Sequence, residues 1–158
     1  MPTVRLSFSP APAHVRTARL VGVAVARRAG VAEELLEEVR LAIGEACSRA
    51  VALHRSHGLD DLVDVAMADG DRFTVRVVDR AANGAMVSRA PQDDAVVLLS
   101  DPALPLTTPP DLLAEEAVAA RMGLALLAGL VDDLNVSELS EGVGTEVRMS
   151  WPLERPGD

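Results

Sequence analysis

The run VRLAIGEACSRAVALHR, residues 39–55, decides how this chain is read. Leu36, Val39, Ile43, Ala46, Ala50 and Leu53 recur at steps of three and four, the period of a helix face turned to a core. Glu45 and Arg49 stand four apart, about 100° round from that stripe. Ala42, Ser48 and Ala52 beside them are small, so the charged pair is expected on a pocket wall rather than a solvated face. A Glu four residues before an Arg is also the favoured order for an ion pair, which makes Glu45–Arg49 one expected contact.

Outward from this helix the pattern alternates between layers. Thr3 to Phe8 places Val4, Leu6 and Phe8 on one side of a strand, ended by Pro10 and Pro12. A first helix is expected from Ala13 to Arg28, closed by Gly30. The second runs from about Ala32 to His54, with Glu33 and Glu34 in the first turn where the dipole favours them. Leu62 to Met67 and Arg72 to Val78 are two strands joined at Asp69-Gly70-Asp71, a hairpin signal, with Phe73, Val75 and Val77 on one face. Residues 80–110 lack a period and hold prolines at 91, 102, 105, 109 and 110. A segment so long often covers a site, and it is expected to be a lid or flexible loop, with Val96 to Leu99 docking part of it. Asp111 to Val131 is a third helix, capped by Asp111 and carrying Gly123 and Gly129 at about 1 kcal/mol each relative to Ala. Leu134 to Leu139 and Thr145 to Trp151 form a last hairpin about Gly142-Val143-Gly144, with Val147, Met149 and Trp151 facing the core. The order predicts an α/β two-layer sandwich: a mostly antiparallel, mixed sheet with three main helices on one face, in a single domain over 1–158.

Composition narrows the function. At 158 residues, 49% hydrophobic and 25% charged, the chain suits one globular domain. No run approaches the roughly 18 apolar residues of a membrane span, and residues 1–12 show no signal-peptide pattern, so a cytoplasmic protein is expected. A net charge of −9 repels a phosphate backbone, which argues against direct nucleic-acid binding. The single cysteine, Cys47, offers no disulfide framework. All 15 basic residues are Arg, which excludes a P-loop lysine, a Schiff-base lysine and the lysine of ordinary protein kinases. Two Phe, one Trp and no Tyr leave little for base stacking.

Four segments, LAIGEACSRAV, VRVVDRAANG, RMGLALLAGLVDDLNV and GVGTEVRM, resemble in order the ATP-binding fold shared by gyrase, Hsp90, histidine kinases and MutL. They are most similar to its small branch, the bacterial anti-sigma factors with serine kinase activity. Members typically carry Glu-x-x-x-Asn on the second helix, Asp-x-Gly-x-Gly after a strand, Gly-x-Gly-Leu opening the third helix and Gly-Thr before the last strand. The resemblance implies that Glu45 is the general base acting on the attacking hydroxyl or water. The family's asparagine falls on Arg49, and a guanidinium has donors but no acceptor, so Mg²⁺ is not expected to be ligated in the family manner. Three expectations stay open for Arg49: it satisfies Glu45, it touches phosphate directly in place of the metal, or it marks a lost site.

By the same resemblance Asp79 accepts the adenine amino group and Thr145 shares in adenine recognition. Ala81 stands where a glycine lets adenine approach the backbone, with Asn83 at the next glycine position and Gly84 one place late. Arg121 replaces the first glycine of the phosphate-cradling turn, while Gly123 and Leu124 remain. The adenine-reading end survives in part and the metal and phosphate end is rewritten. ATP or ADP is the ligand so implied.

Other candidates are weaker. Cys47, His54 and His57 lack a fourth ligand for zinc, and are expected to be a core cysteine and two surface histidines. Asp60, Asp61 and Asp64 lack calcium-loop spacing. Ser48 and Ser56 have no nucleophile-elbow context. The resemblance implies a homodimeric anti-sigma regulator that sequesters a sigma factor. It would be released by an antagonist of the sulfate-transporter-and-antagonist type, with kinase activity weakened or lost. The alternatives are an active serine kinase whose arginines stand in for the metal, and a nucleotide-free protein-binding scaffold.

Overall fold

The computed structural model describes residues 3–82 and 125–154. Within them β1 (Thr3–Phe8) leads to α1 (Pro12–Ala29), a 3₁₀ turn (Glu33–Leu35) and α2 (Leu36–Ser56). β2 (Val63–Asp69), β3 (Arg72–Asp79), β4 (Asp133–Glu138) and β5 (Thr145–Pro152) complete the order, and residues 125–130 are helical. The expected second helix is therefore split, because its first three residues wind as a 3₁₀ turn before the α-helix proper. Residues 83–110 of the expected lid and residues 111–124 of the expected third helix lie outside the described residues, including Arg121 and Gly123.

Strand order is β1-β2-β3-β5-β4. Every pairing among the described strands is antiparallel, so the expected mixed sheet is purely antiparallel there. Alternation places Val65, Val77 and Val147 in one row across the sheet, Met67, Val75 and Met149 in the next, and Phe73 opposite Trp151 in a third. All are buried on the face that meets the helices. The Phe73 and Trp151 rings lie 6.0 Å apart, tilted by 32°. The indole Nε1 donates to Glu38 Oε1 at 3.1 Å, which ties the sheet to α2.

α1 ends at Gly30, whose φ of +105° suits glycine and whose N–H bonds to the Ala26 and Arg27 carbonyls. It packs on α2 where Gly22 leaves no room for a side chain beside Ile43. α2 is thus covered on two sides, by the sheet and by α1. Its buried residues include Ala42, Cys47, Arg49 and His54 as well as the predicted stripe. Arg49 and Ala42 lie in the interior, while Ser48 is exposed and Glu45 half-buried. Leu127 and Val131 join the same core from the helical segment and its exit.

Candidate functional site

The site grows from the ends of two strands. Asp79 is the last residue of β3 and Thr145 the first of β5, and the register sets them directly opposite each other. Both are buried. The approach is tight because Gly144, at φ +141°, lies where a Cβ would run into the Asp79 carbonyl. Proximity of Asp79 and Thr145, implied by the resemblance, is thus a fact of the register.

Arg49 reaches this corner from α2. Its Nη1 donates to Asp79 Oδ2 at 3.1 Å, and both side chains are only 1% exposed. The expected Glu45–Arg49 pair does not form. A buried guanidinium sheds its hydration and must meet a charge in the same low-dielectric region, which Asp79 supplies and the half-buried Glu45 does not. Burial pulls the Arg49 guanidinium below its ordinary pKa, and the Asp79 charge and hydrogen bond push it back up. Glu45 forms no ion pair among the described residues, so its carboxylate keeps its acceptor capacity.

The second Asp79 oxygen is also engaged. Its Oδ1 accepts the Ala81 N–H at 3.0 Å. Ala81 itself is buried against Leu53 of α2, so the methyl that replaces the glycine hydrogen fills a core contact. Across the register, Thr145 Oγ1 is buried with no hydrogen-bond partner among the described residues. The corner therefore holds an engaged carboxylate beside an unengaged hydroxyl.

His54 fixes the backbone that follows. Arg80 N–H donates to Nε2 at 2.8 Å, and Nδ1 lies 2.9 Å from the Asp61 carbonyl oxygen. A carbonyl only accepts and an amide N–H only donates, so Nδ1 carries the proton and the ring is neutral. His54 is fully buried, which corrects the surface expectation; it has two backbone anchors that no local pattern reveals. His57 caps the end of its own helix, with Nδ1 2.9 Å from the Leu53 carbonyl. Cys47 is a core residue, and burial pushes its thiol up to about 12, with the Arg19 charge a smaller opposing influence.

Among the described residues the donor set fits poorly with a metal-bound nucleotide. The position of the family's amide ligand holds a guanidinium, which cannot coordinate a cation. That same guanidinium takes one acceptor site of the carboxylate expected to read adenine. The Thr145 hydroxyl has no hydrogen-bond partner among the described residues and keeps its hydrogen-bonding capacity. No cluster of three or more His, Cys, Asp or Glu side chains placed to hold a metal is present among the described residues. Sequence reasoning found Arg49 and Asp79 separately and missed their contact. The available signal was that an arginine on the covered side of a helix must find an interior acid.

No described helix is long and apolar enough to cross a membrane. Comparison with curated proteins returns no match. The model of the histidine kinase-like ATPase domain matches residues 8–151, most of the chain, from the end of β1 to all but the last residue of β5. With that match and the antiparallel sheet under α1 and α2, the chain belongs to the histidine kinase-like ATPase domain family.

Proposed function

We propose that this protein is a binding regulator of the anti-sigma type whose kinase activity is weakened or lost. It sequesters a sigma factor, acts as a cytoplasmic homodimer and is released by an antagonist of the sulfate-transporter-and-antagonist type. The observation that carries the loss of chemistry is the buried Arg49–Asp79 contact of 3.1 Å. One substitution removes the family's metal ligand and draws a guanidinium onto its adenine-reading carboxylate. The partner-switching role draws its support from the four motif segments, which are most similar to the anti-sigma branch.

Calorimetric titration with ATP and ADP, with and without Mg²⁺, tests the nucleotide half. The expected result is no Mg²⁺-dependent gain in affinity, and no transfer of labelled phosphate from ATP to an antagonist. Metal-dependent transfer overturns it. The sequestering half is tested by copurification with sigma factors of the source cell, competed by antagonist; absence of any such complex rejects it.

A second reading, an active ATP-dependent serine kinase, is favoured by one observation. Glu45 is unpaired among the described residues and so keeps the capacity to take a proton from a hydroxyl. The Arg49→Asn variant separates the two. Activity that appears in the variant marks a degraded metal site, and activity present in the native chain but lost in the variant makes Arg49 part of the chemistry.

A further inference from the structure

The groove between α1 and α2 is lined by a charge opposite to that of the chain. Between α1 and α2 lies a depression of about 380 Å³ bounded by Arg16, Arg19, Arg27 and Arg40, with Leu20 and Val23 in it. A second depression, of about 200 Å³, continues it beyond Arg19 toward Val51 and Arg55. No carboxylate lines either one, although the chain as a whole has a net charge of −9.

The arrangement follows from helical spacing. Arg16, Leu20, Val23 and Arg27 step by four, three and four along α1, so two guanidiniums bracket two apolar side chains on one face. Leu20 is 64% exposed, and Leu41 of α2 is 47% exposed. Arg19 crosses from α1 to α2, its stem lying over Gly44, where a Cβ would fall 2.8 Å from Arg19 Cδ. Arg16 and Arg19 form no ion pair among the described residues. Arg27 and Arg40 pair with Glu33 at 3.3 Å and Glu37 at 3.7 Å, but these exposed pairs hold their partners weakly and leave the charge available.

Building on the protein-binding reading above, we infer that the α1–α2 groove is a docking site for an acidic amphipathic helix of a protein partner. Its apolar side chains lie on Leu20 and Val23, and its carboxylates meet Arg16, Arg19, Arg27 and Arg40. The span from Arg16 to Arg27 is about 16 Å along the helix axis, so the partner helix contributes about three turns. Arginine forks bind carboxylates bidentately, and an apolar floor with a charged rim is the groove such a helix fits. The acidity of the rest of the surface repels the same helix elsewhere and directs it to this face.

The test uses the full chain and a labelled synthetic helical peptide of about 14 residues, with Leu on one face and Glu flanking it; the control carries Lys at every Glu position. The expected result is salt-sensitive binding of the Glu peptide, at least about tenfold tighter than the Lys peptide. Arg16→Glu and Leu20→Glu, both at exposed positions, should each weaken the Glu peptide by about tenfold or more, with thermal melting unchanged. Equal binding of the two peptides, or indifference to both variants, overturns the inference. So does preferential binding to phosphatidylserine vesicles that both variants abolish. A sigma-factor complex that survives both variants overturns the groove alone. Metal-dependent kinase activity overturns the functional reading instead, and leaves the peptide discrimination standing.

Discussion

Arg49 and Asp79 stand thirty residues apart in the chain and meet at 3.1 Å in the interior, each almost wholly excluded from water. A pair so placed weighs differently from a surface ion pair. Its desolvation cost offsets much of the attraction between the charges, so its net contribution to stability is small. Removing one partner strands the other.

Asp79→Ala should therefore destabilise the protein by about 3–5 kcal/mol, as read by denaturant unfolding. The double variant Arg49→Met with Asp79→Leu should recover most of that loss, because neither leaves a buried charge. A double variant no more stable than Asp79→Ala would show that the pair is not the source of the cost.

Arg49→Asn restores the family's amide and frees an Asp79 oxygen beside Thr145. The expected outcome is lower stability together with higher affinity for ATP in the presence of Mg²⁺, measured by calorimetry on the folded fraction. Unchanged affinity would mean that the Ala81 methyl, packed on Leu53, excludes the base by itself.

His54 holds Arg80 N–H and the Asp61 carbonyl at once. His54→Ala leaves both buried groups without that partner and opens a void, and should cost about 2–4 kcal/mol in unfolding experiments. Amide exchange at Arg80 should accelerate in the variant relative to β2. If it does not, the histidine anchors nothing.

Cys47 should resist alkylation in the native protein and react on unfolding, since its thiol is buried and pushed up to about 12 from 9.0. The pH dependence has a definite sign. The folded state keeps its proton above pH 9 while the unfolded chain loses it, so this contribution is complete below about pH 9 and fades as pH rises toward 12. At pH 10.5 about 2 kcal/mol should be lost relative to pH 8, and Cys47→Ala should remove that slope.

Most of the fold was legible because its causes are local. The alternation of Phe73, Val75 and Val77, the glycine that closes α1 and the Asp69-Gly70-Asp71 turn each act over a few residues, and α1 and the described strands formed within a residue or two of the expected bounds, while α2 begins four residues late. The site was legible only in its parts. Spacing along one helix offered Glu45 as the partner of Arg49, and a 3.6-residue period can offer nothing further away. His54, beside Leu53 on the core stripe, gave no local sign of the two backbone groups it joins.

What the sequence by itself determined is the set of layers and the chemical identity of each position: a helix with a carboxylate and a guanidinium, a strand ending in Asp79, a strand opening with Gly144 and Thr145. What only the tertiary structure decided is which charge satisfies which. Covering α2 on both sides removed water from Arg49, and in that interior the nearest buried acid, brought by the end of β3, outweighs the nearest acid in sequence.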